Sequence, residues 1–199
     1  MVINMSTIRA FIAIEINNQT KQKISKLISI LKKSNADAKW ATEDKLHLTL
    51  KFLGNVHKDK IQEIANVISI ISNNFKSFAV SFSEIGAFPN TSCPQVIWLG
   101  IDKGTESLKM LNDKIEASLE KLGFAKESRK FEPHLTLARI RSSKNISNLK
   151  KLIGEISCNI GNEIPISKLI LFQSNLNPKG AVYSILLEKF LQDINGKKD

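Results

Sequence analysis

The sequence predicts an α+β fold: a bilobal, duplicated unit with two antiparallel sheets facing a central cleft and helices outside. Three observations carry that expectation. Amphipathic helical segments alternate with short apolar strands along the whole chain. The same element order runs through both halves. Each half also holds one identical tetrapeptide, His47-Leu-Thr-Leu50 and His134-Leu-Thr-Leu137, the two starting 87 positions apart. With 199 residues and no low-complexity linker, the chain is expected to form a single bilobal domain over 1–199.

Ile8 to Ile16 is branched and nearly continuous in apolar character, which predicts a strand. Asn18 to Lys33 places Ile24, Leu27, Ile28 and Leu31 at helical spacing with lysines opposite. Lys39-Trp40 and Leu46 to Leu53 read as short strands, the second ending at Gly54. Lys58 to Ile71 repeats the helical pattern through Ile61, Ile64, Ala65 and Ile68. Phe78 to Ile85 and Val96 to Ile101 are strands around a loop punctuated by Pro89 and Pro94.

The second half follows suit. Glu106 to Leu122 is a helix with a stripe of Leu108, Leu111, Ile115 and Leu119, and Gly123 suits its C-terminal cap. Glu132 to Ile140 is a strand and Ser147 to Ile156 a weaker helix. Lys168 to Gln173 and Val182 to Leu187 are strands joined by the turn-rich Asn175-Leu-Asn-Pro-Lys-Gly180.

Composition narrows the class. Hydrophobic residues make up 42% and charged residues 24%, enough apolar material for a buried core. No apolar run approaches the roughly 18 residues of a membrane span, and Arg9 and Glu15 interrupt the N-terminal stretch, so neither a membrane segment nor a signal peptide is expected. Cys93 and Cys158 stand apart without metal-ligand or disulfide spacing, which suits a reducing, cytoplasmic compartment. A net charge of +10 points toward polyanionic partners, although a lysine-rich solvated surface would give the same sign.

The paired tetrapeptides carry the chemistry. Only three histidines occur, and two sit in the repeated motif. Alternation along a strand puts His and Thr, two positions apart, on one face and both leucines on the other. Each motif therefore delivers an imidazole and a hydroxyl to one surface. Two facing imidazoles suit in-line displacement at phosphorus: one takes a proton from the attacking water and the other protonates the leaving alkoxide. An ordinary pKa near 6.5 makes both forms of each ring accessible near neutrality. The hydroxyls of Thr49 and Thr136 can donate to the non-bridging oxygens, where charge grows. Without paired Asp, Glu or Cys at ligand spacing, no metal and no other cofactor is expected, and no nucleophile elbow supports covalent catalysis.

The wider pattern resembles the two-histidine phosphoesterases. Arg9-Ala-Phe-Ile-Ala-Ile14, Trp40, Leu46-His-Leu-Thr-Leu-Lys-Phe-Leu-Gly54, Gly86-Ala-Phe-Pro89, Val96-Ile-Trp-Leu-Gly100 and Phe131-Glu-Pro-His-Leu-Thr-Leu-Ala-Arg139 are similar to the RNA 2′,3′-cyclic phosphodiesterase family, also called 2′-5′ RNA ligases. Ser174 and Tyr183 continue the likeness. The resemblance implies metal-independent hydrolysis of RNA 2′,3′-cyclic phosphate ends to 2′-phosphomonoesters, with a reversible 2′-5′ RNA ligase activity beside it. It also implies that His47 donates a proton to the leaving 3′ oxygen and that His134 accepts one from water. The motifs being identical, residue chemistry alone leaves those two roles open. Arg139 matches a phosphate-binding position, but strict alternation puts it on the leucine face, so that role requires a bulge or a strand end.

Arg9 and Phe11 are candidates for substrate contact, Phe11 by stacking on a base, while a core position suits Phe11 equally. Lys51 shares the parity of His47 and Thr49. Trp40 and Trp98 read as packing residues and His57 as a surface histidine. The expected partner is RNA with a cyclic phosphate end, met by a monomer. A cyclic phosphodiesterase for small nucleotides and a non-catalytic RNA-binding protein are the competing readings.

Overall fold

The computed structural model describes residues 7–156, 160–161, 163–178 and 180–193. Its elements run β1 (Thr7–Glu15), α1 (Asn18–Lys32), β2 (Ala38–Trp40), β3 (His47–His57), α2 (Ile61–Asn73), β4 (Phe78–Val80) and β5 (Phe82–Phe88). The second half continues with β6 (Val96–Ile101), α3 (Thr105–Glu120), β7 (His134–Ile140), α4 (Ile146–Glu155), β8 (Ile164–Ile166), β9 (Lys168–Asn177) and β10 (Gly180–Phe190). The α+β class and the duplicated element order both appear. Among the described residues no helix is long and apolar enough to cross a membrane. Cys158 lies outside the described residues, and Cys93 is exposed with a free thiol.

The large sheet is antiparallel, in the order β10-β9-β1-β3-β7-β6-β5, with β2 also pairing β7; β4 and β8 form a small second sheet. The half-sheets β10-β9-β1-β3 and β7-β6-β5 are joined by one residue pair, Leu48 opposite Leu135. A shift of 87 positions carries β3 onto β7, β1 onto β6, α1 onto α3 and β5 onto β9. The halves are also interlaced, since β9 flanks β1 and β5 flanks β6.

The helices bury their apolar stripes against one face of the large sheet. Ile24, Leu27 and Leu31 of α1, Ile64 and Ile68 of α2, Leu108, Leu111, Ile115 and Leu119 of α3, and Leu149 of α4 share one core with Leu48, Leu50, Leu135 and Leu137. Asn17 caps α1 by accepting from Thr20 N–H at 2.9 Å. β1 is apolar almost throughout because both of its faces are covered. Ala10, Ile12 and Ile14 enter the main core, and Phe11 and Ala13 enter a smaller cluster with Ile170 and Phe172 on the opposite face.

Three expectations shift at the boundaries. β3 does not end at Gly54 but continues to His57. Gly54 takes φ +69, available to glycine without a Cβ clash, and the register slips there, so the strand bends instead of stopping. The segment expected as one strand from Phe78 to Ile85 breaks at Ser81, where the chain passes from the small sheet to the large one. The β9–β10 hairpin is longer than expected, its turn reduced to the link between Asn177 and Gly180.

Candidate active site

The motif strands β3 and β7 meet at the Leu48–Leu135 pair. Leu48, Leu50, Leu135 and Leu137 are each no more than 3% exposed, beneath the helices. His47, Thr49, His134 and Thr136 are half-buried on the opposite face, as strand alternation requires. Antiparallel pairing runs the motifs past one another, so each histidine lies on the side of the other motif's threonine. The four candidate catalytic residues are thus brought together at the junction of the two halves.

Each imidazole is tied from behind by backbone two residues upstream. His134 Nδ1 donates to the Glu132 carbonyl at 2.7 Å; since a carbonyl only accepts, Nδ1 carries the proton and Nε2 of the neutral ring keeps its lone pair. His47 likewise hydrogen-bonds the backbone of Lys45. Aromatic side chains enclose both rings. Phe11, Tyr183 and Phe172 stand 5.0, 5.3 and 6.0 Å from His47, and Phe88 and Trp98 stand 5.0 and 6.4 Å from His134.

This enclosure favours neutral rings. Burial, helped by the Lys21 charge, lowers the His47 pKa to about 4 against the raising effect of the Lys45 backbone bond. Burial also lowers His134, opposed by the backbone and carboxylate of Glu132 and assisted by the Arg139 guanidinium. Burial raises the Tyr183 phenol, while Arg139 and Arg9 pull it down and Asp44 pushes it up. Residues from both halves therefore act electrostatically on one point.

Each motif ends in a bulge, at the equivalent position. Opposite β7, Ile97 pairs Ala138 but Trp98 pairs Thr136, leaving Leu137 as the extra residue. Ala138 consequently turns into the core at 1% exposure, and Arg139 emerges exposed on the His–Thr face. The bulge required for a phosphate-facing Arg139 is thus present. Opposite β3, Ile12 pairs Lys51 but Ala13 pairs Thr49, leaving Leu50 extra. Lys51 accordingly turns inward, and Phe52, the 87-residue counterpart of Arg139, stands 54% exposed on the site face. The shared parity of Lys51 with His47 and Thr49 is overturned by this slip.

The backbone and charge exposed by the bulges are satisfied. Leu50 O accepts from Asn112 Nδ2 at 2.9 Å, and Leu137 O accepts from Ala41 N–H at 2.8 Å. Lys51 Nζ donates to Glu116 Oε2 at 2.6 Å and to Ala125 O at 2.9 Å.

Phe11 departs from the expectation of base stacking. It is 3% exposed, with its ring stacked on Phe172 at 5.1 Å and edge-on to Tyr183 at 5.0 Å, so no face is open to a base. It supports the His47 ring. Trp98, read from the sequence as a packing residue, is its 87-residue counterpart beside His134, and the repeat offset alone identifies that match. A Cβ on Gly86 would overlap the Trp98 indole, so this cross-strand glycine lets the ring lie flat on the sheet. His57 ends β3, exposed and away from the motif pair. Among the described residues, no three His, Cys, Asp or Glu side chains group as metal ligands.

A family model described as "LigT like Phosphoesterase" matches the chain twice, over residues 14–98 and 99–183, one match for each half of the repeat. The chain belongs to the LigT-like phosphoesterase family. Among LigT-like relatives, an RNA 2′,3′-cyclic phosphodiesterase of Methanothermobacter thermautotrophicus is 32% identical over 89% of this chain and 95% of its own length. One of the same name from Thermotoga maritima is 34% identical over 90% and 94%. In fold, the chain is similar to the solved structure of TT0787 of Thermus thermophilus (TM-score 0.78, 22% identity, covering 94% of this chain and all of that one). It is also similar to E. coli LigT complexed with 3′-AMP (TM-score 0.74, 21% identity, 94% and 99%).

Proposed function

We propose that this chain hydrolyses RNA 2′,3′-cyclic phosphate ends to 2′-phosphomonoesters, acting as a monomer in the cytoplasm. The observation that carries the reading is the junction at Leu48 and Leu135, which sets two His-x-Thr pairs on one sheet face. In this scheme water attacks phosphorus and gives its proton to His134 Nε2, whose lone pair the Nδ1–Glu132 bond keeps available. The P–O3′ bond breaks, and His47 protonates the departing 3′ oxygen. His47 is neutral in the free protein at pH 7, so the negative charge of the bound phosphate supplies the bias that loads its proton.

Thr49, Thr136 and Arg139 offer donors for the non-bridging oxygens. The exposed phenyl of Phe52 gives a base an apolar surface, in place of the buried Phe11. Joining 2′-5′ ends is the same displacement with a 5′-hydroxyl in place of water: it gives its proton to His134, the P–O5′ bond forms, the P–O3′ bond breaks, and His47 protonates the departing 3′ oxygen.

Product analysis of a short RNA ending in a 2′,3′-cyclic phosphate, incubated with the protein in EDTA, tests the proposal. A 2′-phosphate end is the expected product. A 3′-phosphate end, or turnover that requires an added metal, would overturn the assigned mechanism. Opening of mononucleotides alone would replace RNA with small nucleotides as the substrate.

A further inference from the structure

We infer that Lys39 and Lys45 form a second phosphate site, which takes the phosphodiester preceding the terminal cyclic phosphate and so favours oligonucleotide ends over mononucleotides; this rests on the phosphodiesterase reading above.

The site is assembled by topology. β2 comes from the first half but pairs with β7 of the second, setting Lys39 directly opposite Arg139. Residues opposed across an antiparallel pair project to the same face, so Lys39 extends the cationic surface that Arg139 begins. Gly180, the first residue of β10, comes up beside it. The position of a Cβ on Gly180 lies 3.0 Å from Lys39 Nζ and 3.9 Å from Lys45 Nζ. The two ammonium groups are therefore no more than about 7 Å apart, where like charges repel.

Eight other lysines of the described residues are in ion pairs, among them Lys21, Lys51 and Lys168, but neither Lys39 nor Lys45 has a carboxylate partner there. Glu43 and Asp44 precede Lys45 in sequence, but neither is in an ion pair with Lys39 or Lys45, and Asp44 acts on Tyr183. An incoming anion relieves the repulsion between the lysines.

The pair is also placed for a chain whose end is in the catalytic site. Tyr183, packed 5.3 Å from the His47 ring, is three residues from Gly180 on β10, a separation of roughly 10 Å. The backbone of Lys45 hydrogen-bonds His47. A 2′,3′-cyclic mononucleotide has one phosphate, which the His–Thr pairs and Arg139 occupy, and presents nothing to the lysines. A longer RNA has a second phosphate one nucleotide back.

The test compares wild type with Lys39→Ala/Lys45→Ala on a 2′,3′-cyclic mononucleotide and on a short RNA with the same end. The double variant is expected to lose about tenfold or more in kcat/KM on the RNA and less than about twofold on the mononucleotide. Lys39→Arg/Lys45→Arg should restore the RNA rate. The salt dependence on RNA should become shallower by about 0.7 in the log–log slope, because one phosphate is no longer neutralised. Equal losses on both substrates, or no loss on either, would overturn the second site. If wild type opens neither substrate, the phosphodiesterase reading falls. Fluorescence anisotropy with a labelled RNA bearing a 2′-phosphate end then reads the lysine site alone: weaker binding by the double variant supports it, and unchanged binding rejects it.

Discussion

Lys51 Nζ lies 2.6 Å from Glu116 Oε2, with the two side chains 2% and 10% exposed, directly behind the strand that presents His47 and Thr49. The pair exists because the bulge at Leu50 turns Lys51 inward, and α3 meets that bulge with Asn112 and Glu116 one helical turn apart. Removing one buried charge leaves the other uncompensated, which costs about 3–5 kcal/mol. Glu116→Leu is therefore expected to lower the urea unfolding free energy by that order. Lys51→Met/Glu116→Leu, which removes both charges, should recover most of it. A Glu116→Leu protein as stable as wild type would show that the pair contributes nothing.

His47→Asn and His134→Asn each remove one proton-transfer group from the proposed reaction. Each should reduce kcat by about 10²–10⁴ with the circular dichroism spectrum unchanged. The double variant should be little worse than either single one, because the groups act in one step. Near-normal kcat in either single variant would rule out the two-histidine scheme.

Acid should destabilise the fold through His47. Its folded pKa is about 4 against an ordinary 6.5, so between those values the unfolded chain binds a proton that the folded one refuses. Stability from this group is complete above pH 6.5 and falls as pH drops toward 4, by up to roughly 3 kcal/mol. The lowered pKa of His134 acts in the same direction. Urea melts from pH 7 to pH 4.5 should show the decline, with a smaller decline in His47→Gln. Titration of the His47 ring by NMR should move upward when inorganic phosphate is bound.

Tyr183 is the only tyrosine, so ultraviolet titration of the phenol reads that residue alone. Arg139 holds the phenol pKa below the value burial would set. Arg139→Ala should therefore raise it further, and should also lower kcat/KM by about 10–100-fold through loss of a charge-assisted bond to phosphate. An unmoved phenol titration would contradict the placement of Arg139 beside Tyr183.

Gly86→Ala should destabilise the protein by about 1–3 kcal/mol, since the new methyl meets the Trp98 indole. The displaced ring adjoins His134, so its pKa should change as well. Thermal melts and NMR titration check the two effects separately.

Much of this molecule is legible in its residues. The two His-Leu-Thr-Leu segments determine that each half presents an imidazole and a hydroxyl on one face, because the period of a strand is two and holds over four residues. The helical stripes of α1, α2 and α3 are equally local, as each is set by residues within one segment. The bulges at Leu50 and Leu137 are different: they depend on register with β1 and β6, partners distant in sequence, and one slipped residue reverses the parity that follows it. Tertiary structure alone decided that Lys51 is buried against Glu116 while Arg139 faces outward. It likewise buried Phe11, because Phe172 and Tyr183, which cover that ring, arrive from β9 and β10 at the far end of the chain. It also made β2 cross to β7 and set Lys39 beside Arg139, a contact between halves that no local pattern encodes.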